Sequence, residues 1–123
     1  MIDLAKETER VLLVGVGTSG QENAEASLSE LSELAKTAGA EAVGSIVQNR
    51  EQVHPGTYVG KGKIAEIKDM LWETEAAGII CDDELSPVQM KNLQDELGVK
   101  VMDRTLLILD IFAARASTSE GKI

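Results

Sequence analysis

Three short stretches of this chain carry residue types that could do chemistry. Residues 54–63, HPGTYVGKGK, place three glycines and two lysines beside His54 and Tyr58. Bare backbone amides, lysine charge and an aromatic ring available for stacking suit a contact to RNA phosphates and bases. The stretch is not a nucleotide P-loop. Gly56 and Gly60 enclose three residues instead of four, and Gly62 follows Lys61 where a Mg²⁺-binding hydroxyl belongs. The second stretch, GVGTSG, gives Gly15, Gly17 and Gly20 the GxGxxG spacing. In dinucleotide-binding proteins that spacing brings backbone N–H groups and a helix N-terminus up to a pyrophosphate. The acid expected for a ribose hydroxyl is missing, since the following strand ends Gln48, Asn49, Arg50, and a plain glycine turn into a helix is the simpler reading. The third is acidic: Asp82 and Asp83, with Asp103 at the end of a neighbouring strand, could hold Mg²⁺ through oxygen ligands. Acids just ahead of helices equally serve as caps and as partners of the helix dipole.

The elements that must position these residues follow from hydrophobic period. RVLLVGV (10–16) is an aliphatic run that reads as a buried strand. Ala24, Leu28, Leu31, Leu34 and Ala38 step along one helical face, with Gly39 as the left-handed stop. A second strand spans 41–50, and 51–62 is a loop, long for its kind. From Lys63 a helix turns Ile64, Ile67 and Leu71 inward and ends at Gly78; GIICDD is a third strand. Ser86, Pro87 and Gln89 form a capping-box start for a helix with Met90, Leu93 and Leu97 inside and Gly98 at its end. VKVMD is the fourth strand, and TLLILDIFAARA opens a very apolar fourth helix, too short to span a bilayer. This alternation predicts an α/β fold: a four-stranded, mostly parallel sheet in the order 2-1-3-4 with helices on both faces. In such sheets ligands sit beyond the carboxyl ends of the strands, where all three stretches fall.

Composition narrows the function. A net charge of −9 excludes a general polyanion binder. Residues 50–68 nevertheless hold four basic and two acidic side chains, an island of opposite sign containing Arg50, Lys61, Lys63 and Lys68. One cysteine excludes an internal disulfide and, with no Cys/His cluster, a zinc site; a reducing cytoplasmic setting is expected. No secretory leader or membrane span is legible. His54 lacks a nucleophile partner, and no hydrolytic or redox centre assembles. Physics alone leaves the basic loop open between an RNA contact and solvated lysines.

SLSELSELAKTAGAE, Gln48, TYVGKGKIAEI and DDELSPVQMKNLQDELGVKVMDRTLLILDIFAARASTSEGKI, in this order and spacing, resemble the N-terminal domain of the HflX family of ribosome-associated GTPases, over residues 11–123. The resemblance implies an α/β domain (1–104), then the start of a helical arm or linker (105–123), with the GTPase domain, its GTP and its Mg²⁺ lying outside this chain. STSEGKI at the end looks like the edge of a longer protein. It implies as partners the large ribosomal subunit with its rRNA, and the chain's own GTPase domain, with separation of stalled or stress-damaged ribosomes into subunits as the task of some members. It implies no hydrolysis and no cofactor for this portion. Arg50, His54, Tyr58, Lys61 and Lys63 then become candidate rRNA contacts. The alternatives are a nucleotide-binding module using Gly15, Gly17 and Gly20, and a domain that docks onto its own GTPase domain.

Overall fold

The structure, a computed structural model, describes residues 8–18 and 24–120. Strand β1 (Glu9–Gly17) is followed by α1 (Ala24–Thr37), β2 (Ala40–Asn49), α2 (Lys61–Thr74), β3 (Gly78–Cys81), α3 (Pro87–Leu97), β4 (Lys100–Asp103) and α4 (Arg104–Glu120). The sheet order is β2-β1-β3-β4 and every pairing is parallel, as the alternation of strands and helices requires.

Period-2 alternation divides the strand residues between two apolar layers. Leu12, Val14, Val16, Ile79, Cys81 and Val101 face one side, where α2 and α3 cover them with Ile64, Ile67, Leu71 and Leu93. Val11, Leu13 and Ile80 face the other, under Leu28, Leu31 and Ala35 of α1 and Leu107 of α4. The core is aliphatic because the chain has almost no aromatics, and its one large buried ring is Tyr58.

Helix ends follow the sequence in three of five places. Ser86 Oγ accepts from Gln89 N–H while Gln89 Oε1 accepts from Ser86 N–H, the reciprocal box. Gly98 (φ 67°) caps α3 in the left-handed region, and Gly39 (φ 90°) follows α1. The stop of α2 differs from expectation. It is Glu75, at φ 57°, that turns left-handed, with its N–H returned to the Leu71 carbonyl. Gly78 instead opens β3, where a Cβ would lie 2.4 Å from the Lys100 carbonyl oxygen. Close approach of two strands, not helix termination, demands glycine there. Helix α2 also starts earlier than its apolar period suggests, at Lys61, so Lys61 and Gly62 belong to its first turn.

Candidate functional site

The loop between β2 and α2 is held by side chains from three other elements. Gln48, at the end of β2, accepts a hydrogen bond from Gly60 N–H (2.8 Å). Gln89 of α3 donates to the His54 carbonyl (2.8 Å), and Asn92, one turn on, donates to the Gly56 carbonyl (2.9 Å). Asp83, just past β3, accepts from the Tyr58 hydroxyl (2.6 Å). Gln89 thus serves two tasks: its Oε1 caps α3 and its Nε2 docks the loop. Its burial is the signature of this second role.

Inside the loop His54 and Tyr58 pair backbone to backbone, each N–H donating to the other's carbonyl. His54 Nδ1 accepts from the amides of Gly56 (3.0 Å) and Thr57 (3.2 Å). A ring nitrogen that accepts carries no proton, so the neutral imidazole holds its proton on Nε2. Tyr58 sits at φ 70°, and Val59 N–H donates to the Thr57 carbonyl across it (2.6 Å). That is a γ-turn, a rare and strained geometry for a residue with a Cβ.

Tyr58 therefore departs from expectation. Its ring is 1% exposed, packed in the layer under α2 and α3, and offers no face for stacking. The physical reason is its value to an aliphatic core: the ring fills volume and the hydroxyl still finds an acceptor at the edge of the sheet. Burial first, then the hydrogen bond and charge of Asp83, push the phenol well above its ordinary range.

The other basic-loop candidates remain at the surface. Arg50 donates from Nε to the Gln52 carbonyl (3.1 Å), and its Nη1 lies beside Gly60, the residue ahead of α2. Lys61 is exposed and Lys63 pairs with Glu66 (2.9 Å). The first turn of α2 has no side-chain cap and no acid, so its free amides and dipole add to Arg50 and Lys61. Arg50, Lys61 and the start of α2 thus come together as one electropositive corner, while His54 is committed to the turn.

The other two candidate sites acquire structural work. Gly15 and Gly17 lie within β1 and not in a turn, and Gly20 lies outside the described residues. A Cβ on Gly15 would touch Leu28 at 3.3 Å, so this glycine lets α1 settle on the sheet. The three aspartates point apart. Asp82 accepts from Arg104 Nη2 (2.8 Å) on the α1 and α4 side. Asp83 takes the Tyr58 hydroxyl, and Asp103, buried, accepts from Leu85 N–H and Leu106 N–H (both 2.8 Å), the second as the cap of α4. Among the described residues no group of three or more His, Cys, Asp or Glu side chains is placed to hold a metal. Sequence reasoning passed over Arg104, which also reaches Glu30 (3.3 Å) and the Ser27 carbonyl (3.2 Å) and ties the start of α4 to β3 and α1. Its only signal was a position directly after a strand-end aspartate.

Cys81 closes β3 in the core. Burial foremost, with the negative charges of Asp103, Asp83 and Asp82 behind it, pushes its thiol up, away from the reactive thiolate. We expect a thiol reagent at pH 8 to modify the native protein on the order of a hundredfold more slowly than the urea-unfolded chain. Comparable rates, followed by absorbance, would mean that the strand opens readily.

The profile of the family described as GTP-binding GTPase N-terminal matches residues 25–113. The chain is 63% identical, over its whole length, to the GTPase HflX of Lacrimispora saccharolytica and 40% identical to that of Escherichia coli, spanning 29% of each protein. Over 96% of this chain it is 50% identical to the GTPase HflX of Alkalihalophilus pseudofirmus, spanning 28% of it. Its fold is that of a part of SsGBP in complex with GDP: TM-score 0.63 and 23% identity over 87% of this chain and 29% of that one. A GTP-binding protein of Sulfolobus solfataricus, also in complex with GDP, superposes with TM-score 0.59 and 22% identity over 86% and 30%.

Proposed function

The chain belongs to the HflX family of GTPases, at the family's N-terminal domain, and from that premise we propose that it is a ribosome-binding and regulatory domain that works by positioning. GTP and Mg²⁺ binding, and hydrolysis, belong in this reading to the remainder of the protein, of which this chain spans about 29% of the length of its relatives. The partner is the large ribosomal subunit in the cytoplasm, and separation of subunits under stress is the task. The observation that carries the reading is the electropositive corner of Arg50, Lys61 and the uncapped start of α2, held rigid by Gln48, Gln89 and Asn92 on an otherwise acidic chain. Lys63, half-buried against Glu66, adds charge nearby. A pre-ordered cationic corner loses little entropy when it meets phosphate.

Residues 105–123 begin the helical arm in this proposal. What favours it is that α4 is apolar beyond its packed face: Leu107 is buried while Leu109 and Phe112 are 56% and 61% exposed. Large apolar side chains exposed beyond the packed face call for cover on that side. The domain runs into the arm without a break, because Arg104 and Leu107 anchor the first turns of α4 to the domain.

Sedimentation with purified large ribosomal subunits tests the reading. We expect this chain to co-sediment at low salt, the logarithm of its affinity to fall against that of salt with a slope of about −2 to −3, and a Lys61→Glu/Lys63→Glu double variant to remain in the supernatant. Unchanged sedimentation of that variant would remove the loop from the contact.

A further inference from the structure

On α2, Lys61, Ala65, Lys68 and Trp72 recur at intervals of four, three and four residues, and all four are exposed. That spacing aligns them on one flank of the helix over roughly 16 Å of its axis, while Ile64, Ile67 and Leu71 face the core. Trp72 is 84% exposed, although an indole is among the side chains that gain most from burial. Lys63, Lys91 and Lys100 each hold an acid, whereas Lys61 and Lys68 have no ion pair among the described residues. The stripe begins at the uncapped end of α2, where the dipole is positive. Glu66 is partnered by Lys63, and Asp69 and Glu73 lie about a quarter turn further round the helix.

We propose that this flank is a track for unpaired RNA, with phosphates on Lys61 and Lys68 and a base stacked on Trp72. The proposal rests on the RNA-contact reading of the loop and carries it along the helix. A protein hot spot centres its tryptophan in a packed apolar setting; here the companions of Trp72 on its flank are two lysines and an alanine. A cationic row ending in an open aromatic face is the pairing that single strands use: charge for the backbone and a stacking surface for any base. Tyr58, turned into the core, leaves this role to Trp72.

Trp72 is the only tryptophan, so intrinsic fluorescence reports on this flank alone. The 123-residue chain is titrated at low salt with a fluorescein-labelled 12-nucleotide oligoadenylate, indole quenching being read in the parent and the lysine variants and label anisotropy in every protein, alongside Trp72→Ala, Trp72→Phe, Lys68→Glu and Lys61→Glu. Saturable quenching is expected, with a loss of affinity of about tenfold or more in Trp72→Ala and most of the affinity kept in Trp72→Phe. Lys68→Glu should weaken binding and flatten its salt dependence. Both positions are exposed, so thermal melts of these variants should match the parent. If Lys61→Glu weakens binding while Trp72→Ala and Lys68→Glu do not, the track is overturned and the loop contact stands. If the oligomer does not bind, the track is overturned, and the loop reading falls with it only when large subunits also fail to bind. If Trp72→Ala spares RNA but abolishes docking of the GTPase domain in trans, the flank is a protein surface and the track is overturned.

Discussion

Gly78→Ala is expected to destabilise the domain by about 3–5 kcal/mol and to lower its melting temperature by roughly 10–20 °C. The added methyl would sit 2.4 Å from the Lys100 carbonyl oxygen and 3.1 Å from its carbonyl carbon, both backbone atoms that no rotamer change can move aside. Relief requires β4 to shift away from β3. That breaks ladder hydrogen bonds and disturbs Asp103, whose carboxylate holds Leu85 and the start of α4. A loss of this size is a large share of the 5–15 kcal/mol typical of a domain. Gly62→Ala is the control: nothing lies within 4 Å of its Cβ position in the first turn of α2, and alanine favours the helix, so stability should hold or rise slightly. A Gly78→Ala melt within two or three degrees of the parent would show that the two strands are not so tightly apposed.

Tyr58→Ala is expected to cost about 3–5 kcal/mol, because it empties ring volume from a closed aliphatic layer and removes the anchor to Asp83. Relief of the left-handed φ offsets none of this, since alanine also has a Cβ. Tyr58→Phe keeps the volume and should cost about 1 kcal/mol, the worth of one hydrogen bond. The same burial predicts a pH dependence. The folded pKa of Tyr58 is raised above its unfolded value of 10.0, so the phenol's contribution is complete below about pH 10. It declines as pH rises further, by at most about 1.4 kcal/mol per unit. Tyr58 is the only tyrosine, so phenolate absorbance should appear together with unfolding and not before it. A phenolate signal that precedes loss of helical circular dichroism would place the hydroxyl in solvent.

What could be read in the sequence was whatever a short-range rule controls. Four aliphatic runs alternating with helical periods lead to four parallel strands, and Ser86, Pro87 and Gln89 mark a helix start to the residue. Positions set by contacts between distant segments were harder. Gly78 resembles a helix stop because glycine serves both purposes, and only the neighbouring Lys100 carbonyl distinguishes them. Tyr58 resembles a loop residue because its neighbours are glycines, yet its partners Asp83 and the core lie elsewhere in the chain. The basic corner was legible in composition; its rigidity was not, because Gln48, Gln89 and Asn92 look ordinary until the sheet order brings them to the loop. Trp72 was visible only as one of three aromatics, and its exposure depends on which side of α2 the sheet occupies.

The position of β1 between β2 and β3 has a consequence for how the chain acquires its shape. Strand β1 pairs with neighbours on both sides, and both follow it in the chain: the β2 partner spans residues 40–49 and the β3 partner 78–81. Among the described residues every strand pairing is parallel, so each must close a long loop before it is rewarded, and folding belongs to the slower end of the scale for domains of this size. The Arg104 knot, which needs α1, Asp82 and α4 together, cannot form until more than a hundred residues have left the ribosome. The domain would thus mature late on the very kind of particle it is proposed to serve, with the lysine-bearing end of α2 emerging before the sheet that fixes its direction.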